Sequence, residues 1–236
     1  KAINEARRGI GAIVENPSIY LNMSAYDNLK QQCILLGKDE KQILPTLKEV
    51  GLENLYYEKK KAGDFSLGMR QRLGIAMALL GEPEFLILDE PMNGLDPAGI
   101  VGIRELILRL NRERGITFLI SSHILTELSL VATKYGIISK GRLLKEITAE
   151  QLHQECTKTT TFSAADPNAL AECIRSAFPE SVMKRTNEGV SLLGDIDLNS
   201  ILTAILAENI KLLSINCSQT SIEEYYLSVI GGARNG

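Results

Sequence analysis

Phe85-Leu86-Ile87-Leu88-Asp89-Glu90-Pro91 is the stretch that decides the fold. Four consecutive apolar residues, too few for a helix, predict a strand buried on both faces of a mostly parallel sheet. Two carboxylates close the strand, and Pro91 turns the chain away. Open α/β sheets bind ligands outside the carboxyl ends of their strands, so Asp89 and Glu90 stand where chemistry takes place. Asp89 suits Mg2+, usually held through water, and Glu90 is placed to polarise an attacking water. Alone, the pair reads equally well as solvated acids that end a strand and feed a turn.

The flanking sequence supplies the rest. Upstream, Phe65-Ser66-Leu67-Gly68-Met69-Arg70-Gln71-Arg72 reads as a capped helix start. Its free N–H groups and positive dipole end suit an anion, and Gly68 allows close backbone approach. By itself this is an ordinary N-cap. Downstream, Asn93-Gly94-Leu95-Asp96-Pro97 leads into a helix with Asp96 as cap and Pro97 in the first turn, running to about Arg114. Residues 116–121 predict another buried strand, with His123 just beyond it. A lone histidine at a strand end is usually structural, yet one beside an Asp-Glu edge can reach a terminal phosphate.

Further out, GIGAIV (residues 9–14) predicts a buried strand, and Ser24-x-x-Asp27 opens a helix that Gly37 stops. A second helix is expected over 41–50, a helix over 125–133 and a third strand over 135–139. Strand–helix–strand alternation argues for a parallel α/β sheet. After Gly141 the pattern becomes strand 157–162, helix 167–178, hairpin 181–193 turning at Asn187-Glu188-Gly189, helix 198–209, strand 211–217 and helix 221–229. That β-α-β-β-α-β order fits a small ferredoxin-like α+β appendage. The expected domains are 1–145, with a helical subdomain at about 20–80, and 146–236.

Bulk properties exclude several classes. A net charge of −3 leaves no electrostatic footprint for nucleic acid. No apolar run approaches the ~18–20 residues that span a bilayer, and KAINEARRGIG carries no signal region. The expectation is a soluble, cytoplasmic chain whose membrane association comes through a partner. Cys33, Cys156, Cys173 and Cys217 form no C-x-x-C pair, and with two histidines there is no metal-ligand cluster. His153 falls in a polar helix over 149–155 and reads as solvent-facing.

In this order and spacing the pieces resemble the nucleotide-binding domain of ABC transporters, a P-loop NTPase-like α/β fold. SLGMRQR (66–72) is similar to the signature motif, FLILDEP (85–91) to Walker B, NGLDP (93–97) to the D-loop, and His123 to the switch histidine. The resemblance implies ATP and Mg2+ as cofactors, Asp89 as metal residue, Glu90 as catalytic base and His123 at the γ-phosphate. It implies that Ser66, Leu67, Gly68 and Met69 complete the partner's nucleotide site across a homo- or heterodimer, with Asp96 coupling the sites. Residues 20–61 resemble the helices that dock on an integral membrane permease.

Three departures from the family pattern stand out. Glu15 occupies the loop position, near the metal, where most members carry Gln. Leu67 and Met69 stand where Gly and Gln are common. Together with PSIYLNMSAYDNL, the Glu form resembles the bacitracin-resistance and lantibiotic-immunity exporters. Nowhere is there a G-x-x-x-x-G-K-[ST] loop; in the family it precedes the Glu15 strand, so the chain is expected to start after it, its α/β domain incomplete at the N-terminus. Two rivals follow: a docking and dimerisation module that offers residues 66–68 to a partner's nucleotide, and a non-transport ABC ATPase. The second usually carries paired cassettes or long coiled-coil insertions, neither present here.

Overall fold

The computed structural model describes residues 9–15 and 17–232. Asn16 of the Glu15 loop and the segment KAINEARR lie outside them. The chain divides into two compact units, one up to Val131 and one from Ala132.

In the first unit, β1 (Ile10–Ile13), β2 (Phe85–Asp89) and β3 (Thr117–Ser121) form a parallel sheet in that order. Ile13 pairs with Leu88, and Asp89 with Ser121. The helices are α1 (Ala25–Leu36), α2 (Ile43–Glu49), α3 (Leu67–Leu79) and α4 (Pro97–Arg114), followed by the short α5 (Leu125–Leu128). Local chemistry sets their ends. Ser24 Oγ accepts from Asp27 N–H at 3.1 Å, and Gly37 closes α1 at φ 65°. Asp27 answers by taking the Ser24 hydroxyl at 2.7 Å rather than its backbone N–H, so the capping box is only half made. The core joins Leu86 and Leu88 of β2 to Leu73, Ile75 and Leu79 of α3 and Ile103 and Leu110 of α4.

The strands are less buried than their composition implies. In β2, Leu86 and Leu88 are buried while Phe85 and Ile87 stay half-exposed. In β1 only Ile13 is buried, and β1 is an edge strand that pairs with β2 alone among the described residues. β3 has no fully buried residue. The helix expected over 125–133 shrinks to α5.

The strand near 135–139 does not join the parallel sheet. β4 (Lys134–Ser139) pairs antiparallel with β5 (Arg142–Thr148), in the second unit. Lys140 and Gly141, at φ 48° and 74°, make the tight left-handed turn that short hairpins require. α6 (Ala149–Glu155) follows with a full capping box between Thr148 and Gln151, and His153 on it is exposed. The hairpin, α6 and α9 (Ile222–Gly232) share a small core of Ile137, Ile147, Leu152 and Tyr225. That shared core gathers the hairpin into the second unit, so the chain divides ahead of the expected 145/146 boundary.

The rest of this unit comprises β6 (Thr159–Ala164), α7 (Pro167–Ala177), β7 (Val182–Thr186), β8 (Gly189–Leu193), α8 (Leu198–Ala207) and β9 (Leu212–Ser218). The sheet runs β7-β8-β6-β9, every pair antiparallel, which is the ferredoxin-like arrangement. Phe162, Val190 and Leu192 meet Leu170, Ile174, Ile201 and Ile205 in its core.

Candidate functional site

Three parallel strands send their carboxyl ends to one edge, so residues distant in sequence meet there. Ser121 lies opposite Asp89. Its hydroxyl donates to the Asp89 carboxylate and accepts from the Glu90 N–H at 3.2 Å. The same N–H also reaches the Ser121 carbonyl, at 3.1 Å. Glu90 sits at φ 49°, a left-handed conformation that non-glycine residues seldom adopt. From that turn its Oε2 meets His123 Nδ1 at 2.8 Å. An ionised carboxylate only accepts, so Nδ1 donates and Nε2 is the nitrogen left for another partner.

The loop carrying His123 is anchored on both sides. Ser122 Oγ accepts from Ile124 N–H at 3.0 Å, and Arg104 of α4 pairs with Glu127 of α5 at 2.7 Å, both side chains mostly buried. Glu15 leaves β1 at the same sheet edge, exposed, and also at positive φ, 52°. Pro17 after it lies flat against Gly74 of α3: a Cβ at Gly74 would come within 2.3 Å of Pro17 Cβ. Only glycine lets this loop approach so closely.

A separate group gathers at two helix starts. Ser66 Oγ accepts from Met69 N–H at 3.2 Å, and Asp96 Oδ1 from Gly99 N–H at 3.0 Å. The two starts touch, with Leu67 against Gly94 and Gly68 facing Leu95 and Gly99. Ser66 takes the N–H of Met69 through its hydroxyl and that of Arg70 through its carbonyl. The unspent donors of the first turn therefore belong to Leu67 and Gly68. The side chains at the two unusual positions serve packing: Leu67 covers the Gly94 turn, and Met69 rests against the core. Behind them the Arg72 guanidinium occupies a slot that Gly51 and Gly102 leave open, near the Val50 carbonyl.

Asp89, Glu90 and His123 are thus brought together, Glu15 exits at the same edge, and Ser66, Leu67, Gly68, Met69 and Asp96 form the second group. Ser121 carries no motif of its own; only the strand register reveals it. A cavity of about 990 Å3, lined by Ile10, Ile13, Leu35, Leu36 and Met77, lies along β1 and includes none of the carboxyl-edge residues 89, 90, 121 and 123. No cluster of three or more His, Cys, Asp or Glu fit for a metal occurs among the described residues.

The family model for ABC transporters matches residues 1–93. The chain is 40% identical to the bacitracin transport ATP-binding protein BcrA of Bacillus licheniformis, over 98% of this chain and 76% of the relative. It is 50% identical to the lantibiotic transport ATP-binding protein SrtF of Streptococcus pyogenes, over 59% of each. Among solved structures, cbiO1 of Clostridium perfringens, part of the ABC transporter complex cbiONQ, superposes with a TM-score of 0.58 at 26% identity, covering 75% of this chain and 67% of that one. The chain belongs to the ATP-binding subunits of ABC transporters, an ATPase family with the P-loop NTPase fold.

Proposed function

We propose that this subunit drives a bacterial exporter that expels a peptide antibiotic of the bacitracin or lantibiotic kind. The observation that carries the reading is the carboxyl edge itself, where Asp89, Glu90 and His123 converge around Ser121. The names of the similar BcrA and SrtF proteins point to the substrate class.

The donor chemistry fits Mg2+. Asp89 offers an oxygen beyond the one its serine engages, Glu15 stands at the same edge, and a hard cation that keeps most of its waters needs few carboxylates. Bound there with ATP, the ion would offset charge on the phosphate oxygens. The chain's own residues do the rest. Glu90 takes a proton from the attacking water on Oε1, the oxygen not engaged by His123. His123 holds the other oxygen through Nδ1–H, and with both ring nitrogens protonated its Nε2–H would donate to the terminal phosphate. Ser66, the N–H groups of Leu67 and Gly68, and the Met69 turn meet the nucleotide of a second ATPase subunit, with Asp96 at the join. No helix among the described residues is long and apolar enough to cross a membrane. Work at the inner face of the plasma membrane through a permease is the reading that the names of the similar transport ATP-binding proteins support.

The test is whether peptide antibiotics couple to turnover. In the full-length subunit assembled with its permease, bacitracin or a lantibiotic is expected to stimulate ATP hydrolysis, and loss of the subunit to raise susceptibility to that compound. Hydrolysis that ignores both, with unchanged susceptibility, removes the antibiotic class.

A further inference from the structure

We infer that Ser121 is a positioning residue for the Asp89–Glu90 pair, acting through a hydroxyl that no other residue type of similar shape replaces except threonine. The inference rests on reading this edge as a nucleotide site.

The hydroxyl has a single hydrogen, and it is given to Asp89. That bond holds one oxygen of the Asp89 carboxylate and leaves the second without a side-chain donor among the described residues. A lone pair of the same Ser121 oxygen takes the Glu90 N–H at 3.2 Å. One side chain thereby orients one carboxylate and secures the backbone of the next, at the place where Glu90 turns to φ 49°. The Glu90 N–H keeps the Ser121 carbonyl at 3.1 Å if the hydroxyl is lost, whereas Asp89 has no second side-chain donor among the described residues. Removing the hydroxyl therefore falls chiefly on Asp89. The strand register holds the two residues directly opposite one another, so the bond is imposed by the sheet rather than by a mobile loop.

Threonine and valine have nearly the same shape, and both suit a strand. They differ in the group under test. Mn2+ affinity is measured by paramagnetic resonance on the full-length subunit with a saturating non-hydrolysable ATP analogue, so the readout is metal binding and not activity. Partners that orient metal-binding carboxylates typically contribute about 10–100-fold to affinity. Ser121→Val is expected to weaken Mn2+ by roughly tenfold, and Ser121→Thr to stay close to the unaltered protein. Ser121→Ala, which adds no bulk, repeats the measurement should a branched side chain disturb β3. Unaltered affinity in Ser121→Val, or equal weakening in Ser121→Thr and Ser121→Val, overturns the role of the hydroxyl while the nucleotide-site reading survives. If the unaltered protein binds no Mn2+ with the analogue, the nucleotide-site reading itself fails, and the Ser121 inference with it.

Discussion

The two larger sheets of this protein treat their side chains in opposite ways. In the parallel sheet, Asp89 and Ser121 bond across 32 positions of sequence, and Glu90 and His123 across 33, all at one edge. In the antiparallel sheet the strands alternate in direction, so strand ends scatter to both sides. Its interior is spent on Phe162, Val190 and Leu192, and one of its cross-strand polar contacts, Thr161 with Ser191 at 2.8 Å, lies between hydroxyls in mid-strand. Parallel topology makes a chemical edge from residues that sequence keeps apart, whereas antiparallel topology makes a core.

The sharpest way to break that contrast is to separate activity from stability. Glu90→Gln keeps shape and removes the base, so turnover of the full-length subunit is expected to fall by roughly 10²–10⁴ with nucleotide still bound. Its unfolding midpoint should stay close to the original, since Glu90 is partly exposed and its contact with His123 lies at the surface. Undiminished turnover would remove Glu90 from the mechanism.

The converse experiment is Phe162→Ala. Phe162 is fully buried between the antiparallel sheet and its helices. Truncating such a side chain costs about 3–5 kcal/mol through lost transfer energy and the cavity left behind. Denaturant unfolding should show the loss, while the folded protein keeps its ATP turnover. A fall in turnover as large as that of Glu90→Gln, measured where the variant is folded, would mean that the second unit takes part in the chemistry.

What the sequence disclosed follows the same division. Helix caps were legible because they are local: Ser24, Ser66 and Asp96 each bond the N–H three residues on, α1 ends at Gly37 as read, and α4 begins at its Asp96 cap. The ferredoxin-like order was legible because strands and helices there alternate with clear turn residues. Strand burial was not, since an apolar run such as GIGAIV does not tell whether both faces of the sheet are covered. Nor was the partner of Lys134–Ser139, because a strand's composition does not state its direction. At the site, motif order located Asp89, Glu90 and His123. Ser121 went without a role because its function depends on register across the sheet.

The smallest expected effect concerns how the second unit uses a carboxylate. Asp197 caps α8, accepting from Asn199 N–H at 3.1 Å, from Ser200 N–H at 3.4 Å and from the Ser200 hydroxyl at 2.5 Å. The Ser200 hydroxyl, then the backbone N–H groups, hold its carboxyl below the ordinary range. The unfolded chain, with an aspartate near ~3.9, then binds more protons than the native one between the two values. Its stabilising contribution is complete above that unfolded value and fades as pH falls through the lower native one. Asp197→Asn still caps a helix but does not titrate. Followed by circular dichroism in denaturant, its unfolding midpoint should fall less steeply below pH ~4 than that of the unaltered protein. Equal slopes would show that Asp197 gains nothing from ionisation, and that this acid, unlike Asp89 and Glu90, could be replaced by its amide without consequence.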